Sequence, residues 1–158
     1  MQSRLDARKV SPGAYQAMLG LEGFVRKSSK LEPSLLELVK MRASQINGCA
    51  FCIDMHSKDA RAAGETEQRL YELNAWRETP FYSERERAAL EWTEALTLIS
   101  QTHAPDDVFE RVSAHFSEKE IVDLTYAIAN INTWNRLAIA LRAVPGTYLP
   151  AKRTATVS

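Results

Sequence analysis

Apolar positions recur along the chain at intervals of three and four, with no sustained alternation of apolar and polar residues. The pattern therefore predicts an all-α protein and no strand. Ser11-Pro12 pairs an N-cap residue with proline in the first turn, and Tyr15, Met18, Leu19 and the run from Leu21 to Val25 supply the apolar face of a first helix reaching about Lys27. Pro33 opens a second helix carrying Leu35, Leu36, Leu38, Val39 and Ile46, and Asn47-Gly48 ends it, both residues tolerating a left-handed C-cap. A third helix runs from near Cys49 to Gly64, and Thr66 caps a fourth through Asn74. Capping boxes at Ser83…Glu86 and Ser117…Glu120 open a fifth helix to about Ser100 and a long last helix closed by Val144-Pro145-Gly146. Between them Pro105-Asp106-Asp107 starts a sixth. The last helix is apolar on a broad front (Ile121, Leu124, Ile128, Ile131, Leu137, Ile139, Leu141), which reads as the spine of the fold or an oligomer face.

With 158 residues, 45% hydrophobic and 25% charged, the chain has the composition of one globular domain, which spans 1–150. Residues 151–158 carry no periodicity and read as a flexible tail. Twenty basic residues balance twenty acidic ones, so the clustered positive charge that nucleic-acid binding requires is missing. The start is polar, and no stretch approaches the ~20 apolar residues of a membrane span, which predicts a cytoplasmic protein with no membrane partner. Gly20 and Gly23 have no strand before them and form no dinucleotide fingerprint. Phosphate loops, nucleophile elbows and His-Glu-x-x-His are also missing, which removes the commonest nucleotide, hydrolase and zinc-protease readings, and no cofactor is expected.

The chemistry is concentrated in Cys49 and Cys52. A pair so close in sequence closes almost no loop and stabilises little as a disulfide, so it serves reaction or metal binding. Cys49, Cys52 and His56 are spaced by three and four, placing all three on one helix face with side chains able to meet. The Asn47-Gly48 break puts both thiols in a helix's first turn, where unpaired N–H groups and the helix dipole favour a thiolate and lower the pKa of one sulfur. His56 can accept a proton or stabilise a thiolate, and Glu37, on the preceding helix, can fold back on His56 or Cys49 as the third member of a relay.

The arrangement Glu37, Cys49-Ala50-Phe51-Cys52, His56 resembles the Glu…Cys-x-x-Cys-x-x-x-His signature of the AhpD-like alkylhydroperoxidases of the carboxymuconolactone decarboxylase superfamily. The helix from Leu38 into Cys49 is similar too, the likeness is tightest from Pro33 to Gly64, and Ile131–Arg136 resembles a segment of the shorter members. The resemblance implies an AhpD-like helical domain that assembles as a homotrimer or homohexamer. It implies reduction of organic hydroperoxides, with Cys52 as the attacking sulfur, Cys49 as its proton path and resolver, and His56 and Glu37 as proton relay. The implied reductant is a dithiol, either a lipoyl group on a carrier protein or a thioredoxin-like partner. Phe51 stands where members nearest the founding enzyme have histidine, which makes the approach more apolar. The decarboxylase branch lacks the cysteine pair, so that activity is not implied.

Three other readings stand beside this one. They are a disulfide oxidoreductase, a non-catalytic redox-sensing oligomer, and a structural zinc site needing a ligand from His103 or His115. Those two histidines read as surface or helix-end residues. Trp76, Trp92 and Trp134 read as core or interface anchors, and Asn132, Asn135 and Arg136 as a buried polar network or subunit contact.

Overall fold

The computed structural model describes residues 2–150, and the expected tail at 151–158 lies outside them. Every described element is helical: α1 (Ala7–Val10), α2 (Pro12–Ser28), α3 (Pro33–Asn47), α4 (Ala50–Ala62), α5 (Glu67–Tyr71), a 3-10 segment (Leu73–Glu78), α6 (Glu84–Thr97), α7 (Ile99–Thr102), α8 (Asp106–Ser113) and α9 (Glu118–Leu141). Both capping boxes form: the Ser83 hydroxyl accepts from the Glu86 N–H and the Ser117 hydroxyl from that of Glu120, each with the reciprocal bond from glutamate. At Ser11, by contrast, the side chain makes no capping bond, and α2 begins on Pro12 alone.

The boundaries differ from the sequence pattern where a local break overrides periodicity. The expected helix from Thr66 to Asn74 splits into α5 and the 3-10 segment, and Ala75 leaves helical geometry. Leu98 interrupts the fifth helix, leaving α7 as a separate turn. The last helix stops at Leu141, because Arg142 adopts a left-handed conformation (φ 55°) and its N–H closes onto Ala138 and Ile139.

The spine is α3 rather than the last helix. All seven residues from Leu35 to Met41 are buried, and α3 packs against α4, α6 and α9. Three apolar clusters surround it. Val39, Ala89, Trp92, Val112, Leu124 and Ile128 join α3 to α6, α8 and α9. Leu38, Met41, Ala60, Leu73 and Leu90 fill the opposite side, without any residue of α9. The third cluster is small, comprising Ala43, Cys49, Cys52 and Ile131.

Burial on all sides forces the polar residues of α3 to find partners. Lys40 is fully buried and its ammonium meets the Glu22 carboxylate of α2, whose other oxygen accepts from Asn130 Nδ2 at 2.7 Å. Removing one member of such a pair strands the other charge in the core, so Glu22→Ala should destabilise the protein by roughly 3 kcal/mol. Urea unfolding would show this as a lower midpoint at unchanged slope.

Candidate functional site

The site is built on the hairpin of α3 and α4. Gly48 takes the left-handed conformation (φ 69°), and the Cys49 N–H donates to the Ser44 carbonyl at 2.9 Å, reversing the chain within two residues. α4 then runs back along α3, so residues two to three turns from the reversal meet. Glu37 and His56 are such a pair.

Cys49 is the N-cap of α4 and Cys52 its third residue. Their sulfurs are 2.8 Å apart, hydrogen-bonded, and both thiols are free. The sequence places both in a first helical turn, and the structure puts Cys49 just outside it, with extended dihedrals. The two sulfurs give up one proton readily and hold the remaining one tightly between them. The hydrogen bond from Cys52 is the main cause that brings the Cys49 thiol down to about 7, against the opposing effect of burial. The same bond, with burial, pushes Cys52 up. The lowered pKa expected for one sulfur thus falls on Cys49, not on Cys52.

Glu37 and His56 are both buried, and His56 Nδ1 donates to Glu37 Oε2 at 2.8 Å. The other oxygen of Glu37 pairs with the Arg26 guanidinium of α2 at 3.2 Å. Burial pushes the Glu37 carboxyl up, but the hydrogen bond and charge of His56, with the charges of Lys40 and Arg26, hold it below the usual carboxylate range. Glu37 is thus buried and paired with other helices. The second ring nitrogen, His56 Nε2, is buried and has no partner among the described residues.

The structure therefore brings the four expected residues together as two pairs, Cys49 with Cys52 and Glu37 with His56. No hydrogen bond joins His56 to either sulfur, because its ring is turned to Glu37 and because Cys49 stands outside the helical stacking. A polar floor lies behind the sulfurs. Asn47 Nδ2 donates to Asn132 Oδ1 and Asn135 Oδ1, each at 2.9 Å, and Asn135 Nδ2 donates to Ser44 Oγ at 3.0 Å. Arg136 Nη1 donates to Asn132 Oδ1 at 3.0 Å, so the three polar residues of the last helix that the sequence singles out join one network, with Asn132 and Asn135 buried and Arg136 at its exposed edge. Asn135 also favours the thiolate form of both cysteines, and Ser44 that of Cys52.

Sequence reasoning missed Ser44, Arg26 and the Glu22–Lys40 pair as supports of the site. The available signal was the pair Glu22 and Arg26 one turn apart in an otherwise apolar stretch of α2.

Among the described residues, the group able to hold a metal ion is Glu37, His56 and Asp59, whose ligand atoms lie within 4.8 Å of one another. It excludes both cysteines, and the Arg26 guanidinium already supplies its positive charge. His103 and His115 are exposed and far from this group in sequence. His103 caps α7 and His115 sits in the turn after α8.

Residues 12–95 match the carboxymuconolactone decarboxylase family. The chain belongs to that family, in its AhpD-like part. It is 47% identical over 141 residues to the uncharacterized protein YdfG of Bacillus subtilis, covering 89% of this chain and 95% of that protein. A crystal structure of a protein of unknown function from Agrobacterium tumefaciens, linked by name to the antioxidant defence protein AhpD, superposes with a TM-score of 0.89 at 48% identity. It covers 93% of this chain and 100% of that one. The AhpD-core, peroxidase-related protein of Ralstonia eutropha JMP134 shares the fold at a TM-score of 0.78 and 18% identity, over 89% and 75% of the two chains. The all-α architecture is the AhpD-like fold of the family. No described helix is long and apolar enough to cross a membrane.

The shared proton sets a pH dependence. Alkylation of the reduced protein by iodoacetamide should rise with pH through a midpoint near 7, as the first thiolate forms, well below the ~8.5 of a free thiol. Asn135→Ala removes a donor that favours the thiolate and should move the midpoint upward. The measurement is the labelling rate between pH 5 and 10 in both proteins.

Proposed function

We propose that the protein is an AhpD-type peroxidase that reduces organic hydroperoxides through a Cys49–Cys52 dithiol–disulfide cycle. The observation that carries this reading is the pair of free, buried thiols 2.8 Å apart on one hairpin with the buried Glu37–His56 pair. Membership of the AhpD-like family and likeness to antioxidant and peroxidase-related proteins support it.

In the resting site Cys49 is the thiolate, Cys52 carries the shared proton, and Glu37 holds the His56 ring through Nδ1 so that Nε2 can carry a proton for the leaving group. Cys52 sulfur attacks the terminal oxygen of R–O–O–H while its proton passes to Cys49. An S–O bond forms, the O–O bond breaks, and the leaving alkoxide takes a proton from His56 Nε2 to become ROH. Cys52 is then a sulfenic acid. Cys49 passes its proton to His56 and attacks Cys52 sulfur, so that an S–S bond forms and the S–O bond breaks. The expelled hydroxide takes that proton and leaves as water. Two electrons have moved from the thiols to the peroxide. A dithiol, lipoyl or thioredoxin-like, returns them by thiolate attack on the disulfide.

Val122, Tyr126 and Ile139 of α9, with Leu19 and Phe24 of α2, are exposed apolar residues that supply a surface for the homotrimer or homohexamer.

Cys52→Ser should abolish peroxide turnover with a dithiol reductant. Cys49→Ser should react once, leaving a sulfenic acid that dimedone traps on Cys52. Glu37→Gln should lower kcat/KM by about 100-fold through loss of the relay, with the helical circular dichroism retained. Full turnover in Cys52→Ser would contradict the assignment.

A further inference from the structure

Cys49 and Cys52 are 1% and 2% exposed, so no substrate meets their sulfurs until something moves. The apolar groups that are packed against the dithiol cluster and still reach the surface are Phe51, Trp134 and Ala138. Trp134 and Ala138 lie on the face of α9 that also carries Ile131 and Asn135, at intervals of three and four. That face lies over the sulfurs.

Trp134 is unlike the other two tryptophans. Trp76 and Trp92 are buried, and their indole N–H groups donate to Glu94 Oε1 at 2.8 Å and Thr125 Oγ1 at 3.1 Å. Trp134 is only partly buried, and its N–H has no hydrogen-bond partner among the described residues. Core anchoring with a satisfied indole N–H thus describes two tryptophans and not the third. Trp134 packs from the surface side against the dithiol cluster and makes an edge-on contact with Tyr15 of α2, ring centroids 5.3 Å apart. The part of α2 that carries Tyr15 is lightly held, since no residue from Pro12 to Phe24 is buried.

We propose that Trp134, braced by Tyr15 and standing beside Phe51, is the specificity-determining residue over the dithiol, a movable apolar cover that admits organic hydroperoxides with an alkyl or aromatic body in preference to hydrogen peroxide. The reasoning is chemical. An apolar substrate body replaces the contacts that Trp134 gives up when it swings from the sulfurs, whereas a small, strongly hydrated peroxide exposes the rings to water without compensation. Phe51 adds to the same surface, where a polar ring at that position would lower the penalty for hydrated substrates. This inference rests on the peroxidase reading for its substrate, but not for the cover itself.

Two readouts separate these. The first is the rate at which N-ethylmaleimide labels Cys49 and Cys52 in the reduced protein, which requires no turnover. Tyr15→Ala removes an edge-on aromatic pair and should speed labelling roughly three- to tenfold, Trp134→Ala should speed it further, and Trp134→Phe should stay near the parent rate. The second readout is the ratio of kcat/KM for cumene hydroperoxide to that for hydrogen peroxide. Trp134→Ala should lower this ratio by about tenfold, and Trp134→Phe should keep it. Circular dichroism checks the fold, and if Trp134→Ala does not fold, Tyr15→Ala and Trp134→Phe carry the comparison. Labelling rates that do not change in the folded Tyr15 and Trp134 variants would overturn the cover. A changed labelling rate in a protein that turns over no peroxide would instead leave the cover standing and remove its substrate assignment along with the peroxidase reading.

Discussion

The reversal at Gly48 is the constraint on which the site depends. A left-handed residue between two helices costs an L side chain about 1–2 kcal/mol, and glycine removes that cost where the chain must turn back at once. The turn makes Cys49 an N-cap, leaving the Cys52 sulfur within hydrogen-bond reach of it. The same reversal aligns α4 against α3, so that Glu37 and His56 meet across the hairpin. A longer connection would loosen both pairs together.

Once the hairpin is closed, its polar residues lie in the interior and the surrounding helices answer for them. α2 supplies Arg26 to Glu37 and Glu22 to Lys40, while α9 supplies Asn130 to Glu22 and Asn135 toward the sulfurs. α3 is therefore both the centre of the core and the support of the reactive groups. Charge compensation and packing are served by the same contacts, which couples the reactivity of the dithiol to the integrity of the fold. The aromatic side of the site is different in kind, because Trp134 and Tyr15 are only partly buried, meet through an edge-on ring contact and have no charged or hydrogen-bonded side-chain anchor among the described residues.

Much of this arrangement is legible in the sequence, because periodicity and capping residues report local structure. The capping boxes at Ser83 and Ser117, the Asn47-Gly48 break and the intervals among Cys49, Cys52 and His56 all act within a few residues. The breaks at Ala75, Leu98 and Arg142 are not legible, since each is one residue leaving helical dihedrals while the apolar pattern continues through it. The same limit hides which helix is central: the last helix is more apolar, but α3, carrying Glu37 and Lys40, is the more enclosed. Ser44 is not legible as a support, and Arg26 only through its one-turn spacing from Glu22, because their partners at the site lie on other helices or against sulfurs, at separations that no spacing rule covers. The distinction between Trp134 and the other tryptophans likewise needs burial and hydrogen bonding to be seen.

The central claim is that the Cys49–Cys52 pair is built to react with a peroxide and close on itself. Both cysteines fall in one tryptic peptide, from Ala43 to Lys58, so the product can be read directly. Reduced protein would be mixed with one equivalent of cumene hydroperoxide, quenched at intervals by acid and alkylation, and that peptide weighed by mass spectrometry. The account predicts an internal disulfide that accumulates far faster than a free thiol oxidises, with one equivalent of alcohol released. A peptide that stays fully alkylated, or that oxidises no faster than a free thiol, would contradict it.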